Sequence, residues 1–372
     1  LRSEVVNSAL QSGRANVPEV VSVLGLIGLL GALLAGMVAD TVMRPNEDGD
    51  ETDVPDEDGA DPQDTGEVVN IFGMLSVVEA GAVSADGAME RNDGMPQSSD
   101  GDPETEAAQD LAGGDGADNL SGAGGDDRVS GGGGDDLLGG RAGDDWISGD
   151  DGDDYLTGAL GDDSLDGGAG DDSLHGEDGS DVLTGAEGND ALYGHEGDDD
   201  LAGDAGNDSL AGGAGFDSLQ GGKGDDELSG GSGRDLLSGG FGSDTLEGGA
   251  GSDTIWGQQP GEADDSLDFL NGGTGGDLLM LGAGDYGNGG GGADVFGLLE
   301  VAAGDPPMQI TDFDPTADSL VVLYDPVLHP DPQLSVQSDA SGAATLLLDG
   351  VALASLTNGA ALDLGAITLR AA

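Results

Sequence analysis

An aspartate recurs every nine residues through the middle of this chain, sixteen times without a gap: Asp118, Asp127, Asp136, Asp145, Asp154, Asp163, Asp172, Asp181, Asp190, Asp199, Asp208, Asp217, Asp226, Asp235, Asp244 and Asp253. Two residues before each stands a glycine: Gly116, Gly125, Gly134, Gly143, Gly152, Gly161, Gly170, Gly179, Gly188, Gly197, Gly206, Gly215, Gly224, Gly233, Gly242 and Gly251. Glycine permits left-handed turns and leaves the neighbouring carbonyls unobstructed. Carboxylates beside turn carbonyls are hard oxygen donors, and such donors suit Ca²⁺. Two residues after each Asp comes an aliphatic side chain, from Leu120 and Val129 through Leu246 and Ile255. Another glycine opens each unit, from Gly113 to Gly248. Nine is an odd spacing, so no single long helix or strand keeps every aliphatic residue on one face. A chain that turns after every short strand does.

The unit GGxGxDxUx, with U aliphatic, resembles the RTX (haemolysin-type) calcium-binding repeat. The resemblance covers residues 111 to about 296. The second glycine is replaced in half of the units, by Ala123, Arg141, Asp150, Ala159, Glu177, Ala186, His195 and Asp204. Beyond an insertion from Gly257 to Phe269, Asp277 with Leu279 and Asp294 with Phe296 form two further units. The resemblance implies an all-β fold, a right-handed parallel β-roll in which two nonapeptides make one coil and the aliphatic residues of both sides meet inside. Coils stack at the strand spacing of about 4.8 Å, so eight of them extend roughly 38 Å. It also implies a Ca²⁺ between turns one coil apart, such as those of Asp118 and Asp136 or Asp127 and Asp145. The ion is then held by Asp carboxylates and turn carbonyls.

The charge balance agrees with this reading. The chain has 372 residues, 75 of them Gly, with 76 Asp+Glu against 9 Lys+Arg and a formal net charge of -67. Read by composition alone this is a disordered polyanion. Disorder does not explain an aliphatic residue held at period nine. Nucleic acid is excluded as a partner by repulsion of its phosphates. Residues 111–256 hold 36 acidic and four basic side chains, 32 net negatives. With about one Ca²⁺ per turn, roughly sixteen ions cancel that charge. One aliphatic side chain per nine residues is a thin core, so metal binding must supply much of the folding free energy. The chain has no Cys and only three His. Thiolate sites are absent, and the scattered His175, His195 and His329 are not expected to build a zinc cluster. They read as solvent-facing, the first two on repeat turns and the third in a Pro-rich loop.

Outside the repeats three zones differ in composition. Residues 1–43 contain Val20 to Ala39, twenty residues without a charge and long enough to span a bilayer as a helix. An uncleaved anchor fits better than a signal peptide, because cuts after Ala39 or Ala35 place Met37 or Leu33 at the −3 position. A soluble assembly helix is the third reading. Arg2 and Arg14 precede the segment and acidic residues follow Arg44, an orientation with the repeats outside. Gly28, Ala32 and Gly36 share one helix face that allows self-association, although small residues are common in membrane helices anyway. Residues 44–110 read as an acidic, mostly disordered linker, with an apolar island at 67–84. Residues 297–372 are apolar and read as a C-terminal β cap, with strands at Ser319 to Tyr324, Ala344 to Leu348 and Gly350 to Leu356. By resemblance this cap can also carry an uncleaved type I secretion signal. That export route and a membrane anchor are at odds. Asp312, Asp314 and Asp318 read as turn-forming carboxylates more readily than as ion ligands.

No catalytic constellation is present. HExxH and GxSxG do not occur, and a chain without Cys has no thiol nucleophile. Carboxylate pairs occur throughout and mark no glycosidase site. The expectation is a non-enzymatic, calcium-folded protein of the cell surface or extracellular medium of a Gram-negative bacterium, adhesive or structural. The alternative is a secreted effector or enzyme accessory whose roll aids export.

Overall fold

Each nonapeptide forms one short strand and one tight turn, as in the run Val182–Glu187, Ala191–Glu196 and Asp200–Ala205. The structure, a computed structural model, describes residues 107–258, 266–299, 301–339, 343–357 and 362–371. The hydrophobic segment 20–39, the apolar island 67–84 and all but the last few residues of the acidic segment lie outside the described residues. The first strand, Asp110–Ala112, starts one residue inside the segment expected to be linker. Among the described residues no helix is long and apolar enough to cross a membrane.

Among the described residues the strands form two sheets, one of 13 strands and one of 15, and successive repeat strands go to them alternately. Within each sheet the repeat strands pair in parallel, eighteen residues apart. Leu192 pairs with Leu174 and Leu210 in one sheet, and Leu201 with Leu183 and Leu219 in the other. Two nonapeptides therefore make one coil. The strand period of two turns Leu192 and Gly194 inward and leaves Ala191 and Tyr193 facing out. The aliphatic residues of the two sheets meet in one column, from Val129 to Ile255, at 0–2% exposure. The architecture is a parallel β-solenoid, as the repeat implies.

The insertion does not interrupt the stack. Leu246 pairs with Leu270 and Ile255 with Leu279, an offset of 24 residues, and Leu279 then pairs with Phe296 at an offset of 17. Phe269–Gly275 is thus a complete repeat strand at the end of the stretch read as insertion. Tyr286–Asn288 is another, although its inward residue is Gly287. Leu281 and Phe296 fill the space where a Gly287 side chain would lie.

Parallel stacking also runs past residue 296. Phe296 pairs with Leu320, and Leu320 with Ile367. In the second sheet Met308–Ile310 pairs in parallel with Val351–Leu356. The chain then reverses: Ala344–Leu348 pairs antiparallel with both Val351–Leu356 and Leu334–Ser338. Strands occur at Ser319–Tyr324, Ala344–Leu348 and Val351–Leu356, where the apolar runs of the sequence predict them. Phe296 and Phe313 meet edge to face at 6.1 Å in this part of the core.

From Gly132 onward the second position of the repeat is left-handed whether or not it is glycine. Arg141, Ala159, Glu177, Ala186, His195 and Asp204 have φ between 70° and 92°. An L side chain in this region costs about 1–2 kcal/mol, and glycine returns about 0.5–1 kcal/mol of that as extra unfolded-chain entropy. Ala186→Gly is accordingly expected to stabilise the calcium-loaded roll by about 0.5–1 kcal/mol, seen as a rise in Tm. Ala142→Gly is the control, since Ala142 is buried with ordinary backbone. It should lower Tm.

Candidate metal centre

The turns at the two edges of the sheets carry the carboxylates. From Asp127 to Asp253 every sixth-position Asp is buried, and so are Asp277 and Asp294, while Asp118, in the first described unit, is half-buried. Each projects toward the preceding coil. Asp145 Oδ1 accepts from the Asp127 N–H at 2.7 Å, Asp163 from Asp145 at 2.7 Å, and Asp181 from Asp163 at 2.8 Å. The same bond joins Asp118, Asp136, Asp154, Asp172 and their successors along the other edge. Two ladders of carboxylates result, one per edge, with each rung capping a backbone donor one coil back.

The second oxygen has no such role. Oδ2 of every sixth-position Asp from Asp136 to Asp235, and of Asp253 and Asp277, is buried without a hydrogen-bond partner. An ionised oxygen removed from water in this way costs several kcal/mol unless a cation or proton meets it. The first-position glycine makes the room. Asp199 Oδ2 and the Gly212 carbonyl oxygen both lie against the α-carbon of Gly194, where a β-carbon would sit. A carboxylate oxygen and a carbonyl oxygen thus converge in the turn, and the donor set fits a hard cation.

The fourth-position glycines, Gly125 to Gly251, are all left-handed, with φ from 90° to 154°. Gly116, in the first described unit, does not share that conformation. These glycines bring each turn against the one a coil earlier. Gly197 packs on the Gly179 carbonyl so closely that no β-carbon fits.

The electrostatics run in the same direction. Burial, with neighbouring Asp carboxylates adding to it, outweighs the N–H bond from the preceding coil. It pushes Asp145, Asp181, Asp190 and Asp208 up to about 6 and Asp163, Asp172 and Asp217 up to about 7. Two carboxylates about 4.8 Å apart repel by roughly 3 kcal/mol at an effective dielectric of about 20. Repeated along both ladders, this exceeds the roughly 5–15 kcal/mol by which an ordinary domain is stable. The roll cannot hold its ladders fully ionised without cations.

The profile of the RTX calcium-binding nonapeptide repeat matches this region, at residues 106–138, 139–174, 166–201, 175–210, 202–237 and 238–259. Residues 106–259 are RTX calcium-binding nonapeptide repeats. Comparison with curated proteins gives no match. Calcium is therefore the ion that the RTX turns support, through Asp carboxylates and turn carbonyls.

The ladders extend beyond what the RTX spacing reveals. Asp268 Oδ1 accepts from the Asp244 N–H and Asp285 Oδ1 from the Asp268 N–H, so both occupy sixth positions. The insertion conceals the first, but the triplet Asp268-Phe269-Leu270 keeps the Asp-x-aliphatic signature. Asp285 is followed by Gly287 and carries no such signal. Asp318 ends the other ladder: its Oδ1 accepts from Asp294 N–H and its Oδ2 from Asp314 N–H. Asp312 accepts from Gly289 and Gly290 N–H. The fifth position forms an outer, exposed ladder of opposite sense, in which Asp144, Asp153 and Asp162 accept from Asp162, Asp171 and Ser180 N–H. The recurrent Asp-Asp pair of the sequence was its signal.

The histidines depart from the sequence reading. His175 and His195 lie on strands, not turns, and their ring nitrogens approach to 3.2 Å. Twenty residues separate them, one coil plus two, so the roll makes them diagonal neighbours. His329 Nδ1 bonds the Asp349 carboxylate and holds its pKa down.

Proposed function

We propose that this chain is a non-enzymatic, calcium-folded protein of the cell surface or extracellular medium, with an adhesive or structural role. The observation that carries the reading is the row of buried, unpartnered Asp Oδ2 atoms beside turn carbonyls. Calcium-poor surroundings leave the polyanion extended, a state suited to export. Millimolar calcium outside neutralises the ladders, and the coils close on one another. Asp136, Asp145 and their equivalents would hold the ions, with the carbonyls of first-position glycines such as Gly212 beside them. Calcium supplies positive charge and oxygen coordination there. The repeats themselves supply a long exposed surface, since residues at the seventh position, among them Leu137, Trp146, Tyr155, Val182 and Leu236, stand 38–47% exposed on the outer faces. Repeat arrays present such faces to partners or to copies of themselves.

Titrating Ca²⁺ into the chelator-treated full chain tests this. Far-UV circular dichroism and the fluorescence of Trp146 and Trp256 should gain β structure and shift together. The transition should be cooperative, reversed by chelator and not reproduced by Mg²⁺, whose smaller octahedral shell gives up water reluctantly. A chain equally folded in chelator and in calcium would overturn the reading.

A further inference from the structure

One cluster of metal-binding side chains lies away from the calcium turns. We infer that His175, Glu177 and His195 form a second metal centre on the outer face of one sheet, built for a borderline divalent transition ion such as Zn²⁺. The three residues sit on adjacent parallel strands, Ser173–Asp178 and Ala191–Glu196. His195 pairs with Glu177 across the strands, and Tyr193 with His175. One ligand atom from each of the three residues lies within 4.8 Å of the others.

The distances suit a small tetrahedral ion. His175 Nδ1 is 3.2 Å from His195 Nε2. Zn–N bonds of 2.0–2.1 Å at tetrahedral angles separate two ligand nitrogens by about 3.3 Å. Glu177 Oε1 stands 3.9 Å from His195 Nε2, and its side chain is exposed, so a small rotation closes that edge. Three protein ligands leave the fourth position to water. Imidazole nitrogen suits zinc or copper and is a poor donor for Ca²⁺, whose shell is oxygen. The two metals therefore sort to different places on one roll.

The surroundings hold the ligands ready. Ser173 Oγ lies 3.3 Å from His175 Nε2, and in the tautomer that carries the ring proton on Nε2 the hydroxyl accepts it, leaving the Nδ1 lone pair facing His195. A ligating imidazole is normally fixed in this way through its other nitrogen. Tyr193 stacks on the His175 ring at 4.7 Å and 13°, and Tyr155 covers it at 5.1 Å. The ring plane is thus set before any ion arrives. Glu177 and His195 occupy second positions of their repeats, where eight other units carry glycine, and glycine at either would delete a ligand.

The test uses the full chain without a histidine tag, in saturating calcium, with circular dichroism reporting the roll. Calorimetric titration should find a Zn²⁺ site of one equivalent above the weak binding shared by all variants. Removing one partner that orients a ligand weakens such sites by about 10- to 100-fold, so Ser173→Ala should lower affinity by about tenfold and His175→Gln or His195→Gln by at least as much. His329→Gln should bind as the parent does. Cu²⁺ loaded into the unaltered chain gives a reading that needs no variant: its electron paramagnetic resonance should carry hyperfine structure from two imidazole nitrogens. Zinc binding unchanged in both His175→Gln and His195→Gln, or a copper spectrum of oxygen ligands alone, overturns the assignment while leaving calcium folding intact. A chain in which calcium forms no roll overturns both readings, because the two histidines meet only across stacked coils.

Discussion

Gly197→Ala is expected to break the roll between two coils. The Gly197 α-carbon packs on the carbonyl of Gly179, one coil earlier, and a methyl group there would fall inside that oxygen. The atom in the way is backbone, fixed by the turn, so it cannot swing aside. The residue also has φ 139°, a conformation that L side chains rarely adopt. Relief requires the turn to open, and opening it separates the rungs that Asp181 and Asp199 form on that edge. A cost above about 4 kcal/mol is expected, the range reached when backbone strain and overpacking combine. Because each coil touches only its neighbours, the damage should stay local. Calcium titration should then show a higher midpoint and lower cooperativity, and limited proteolysis a new cut near residue 197. Gly114→Ala is the control. Gly114 has nothing within 4 Å of where a β-carbon would sit, so this variant should behave as the parent does. Equal calcium midpoints for the two variants would show that the turns do not stack as described.

The second large effect is that acid should fold the calcium-free chain. Among the ladder carboxyls, Asp145 has its folded-state pKa raised to about 6, and Asp163, Asp172, Asp217 and Asp277 to about 7, chiefly by burial and with their like-charged neighbours adding to it. In the unfolded chain they titrate near 3.9. The folded state therefore binds more protons than the unfolded one between about pH 4 and 7. Its proton-linked stability is full below the unfolded value and is lost as pH rises through 6 to 7. A rise from 3.8 to about 6 corresponds to roughly 3 kcal/mol for each such carboxyl, shared among coupled neighbours. In chelator at pH 8 the chain should lack the roll, and lowering the pH to 5 should restore β signal. This reverses the usual course of acid denaturation, in which carboxylates paired in the native state are lost. Calcium should compete with those protons: binding at pH 6 should release protons, and the calcium midpoint should rise as pH falls from 8. A pH-independent midpoint, with no β signal gained by the calcium-free chain at pH 5, would mean that the carboxylates are not buried as described.

Much of this structure was legible because the repeat is regular. An aliphatic residue every nine positions, with Gly and Asp at fixed distances before it, dictates short strands separated by turns. The odd period forces successive strands into different sheets. The sixth-position Asp residues therefore line up on two edges, and the core reduces to one column of side chains such as Leu192 and Leu201. The charge of that arrangement already called for cations. The limit came where the spacing changed. Asp268 and Asp285 sit in the same ladders as Asp244, but offsets of 24 and 17 residues hide them, and packing of Leu281 and Phe296 over Gly287 replaces the aliphatic marker.

By itself, then, the sequence determined the period, the class of fold, the hard-oxygen donors and the ion they suit, since each follows from residue type at constant spacing. Only the tertiary structure decided which atoms do what. The direction of each turn gives Asp Oδ1 to a backbone N–H one coil back and leaves Oδ2 buried beside a carbonyl. The coil length of eighteen brings His195 beside Glu177 and diagonal to His175. Neither outcome is visible along the chain, because each depends on contacts between residues that only stacking makes neighbours.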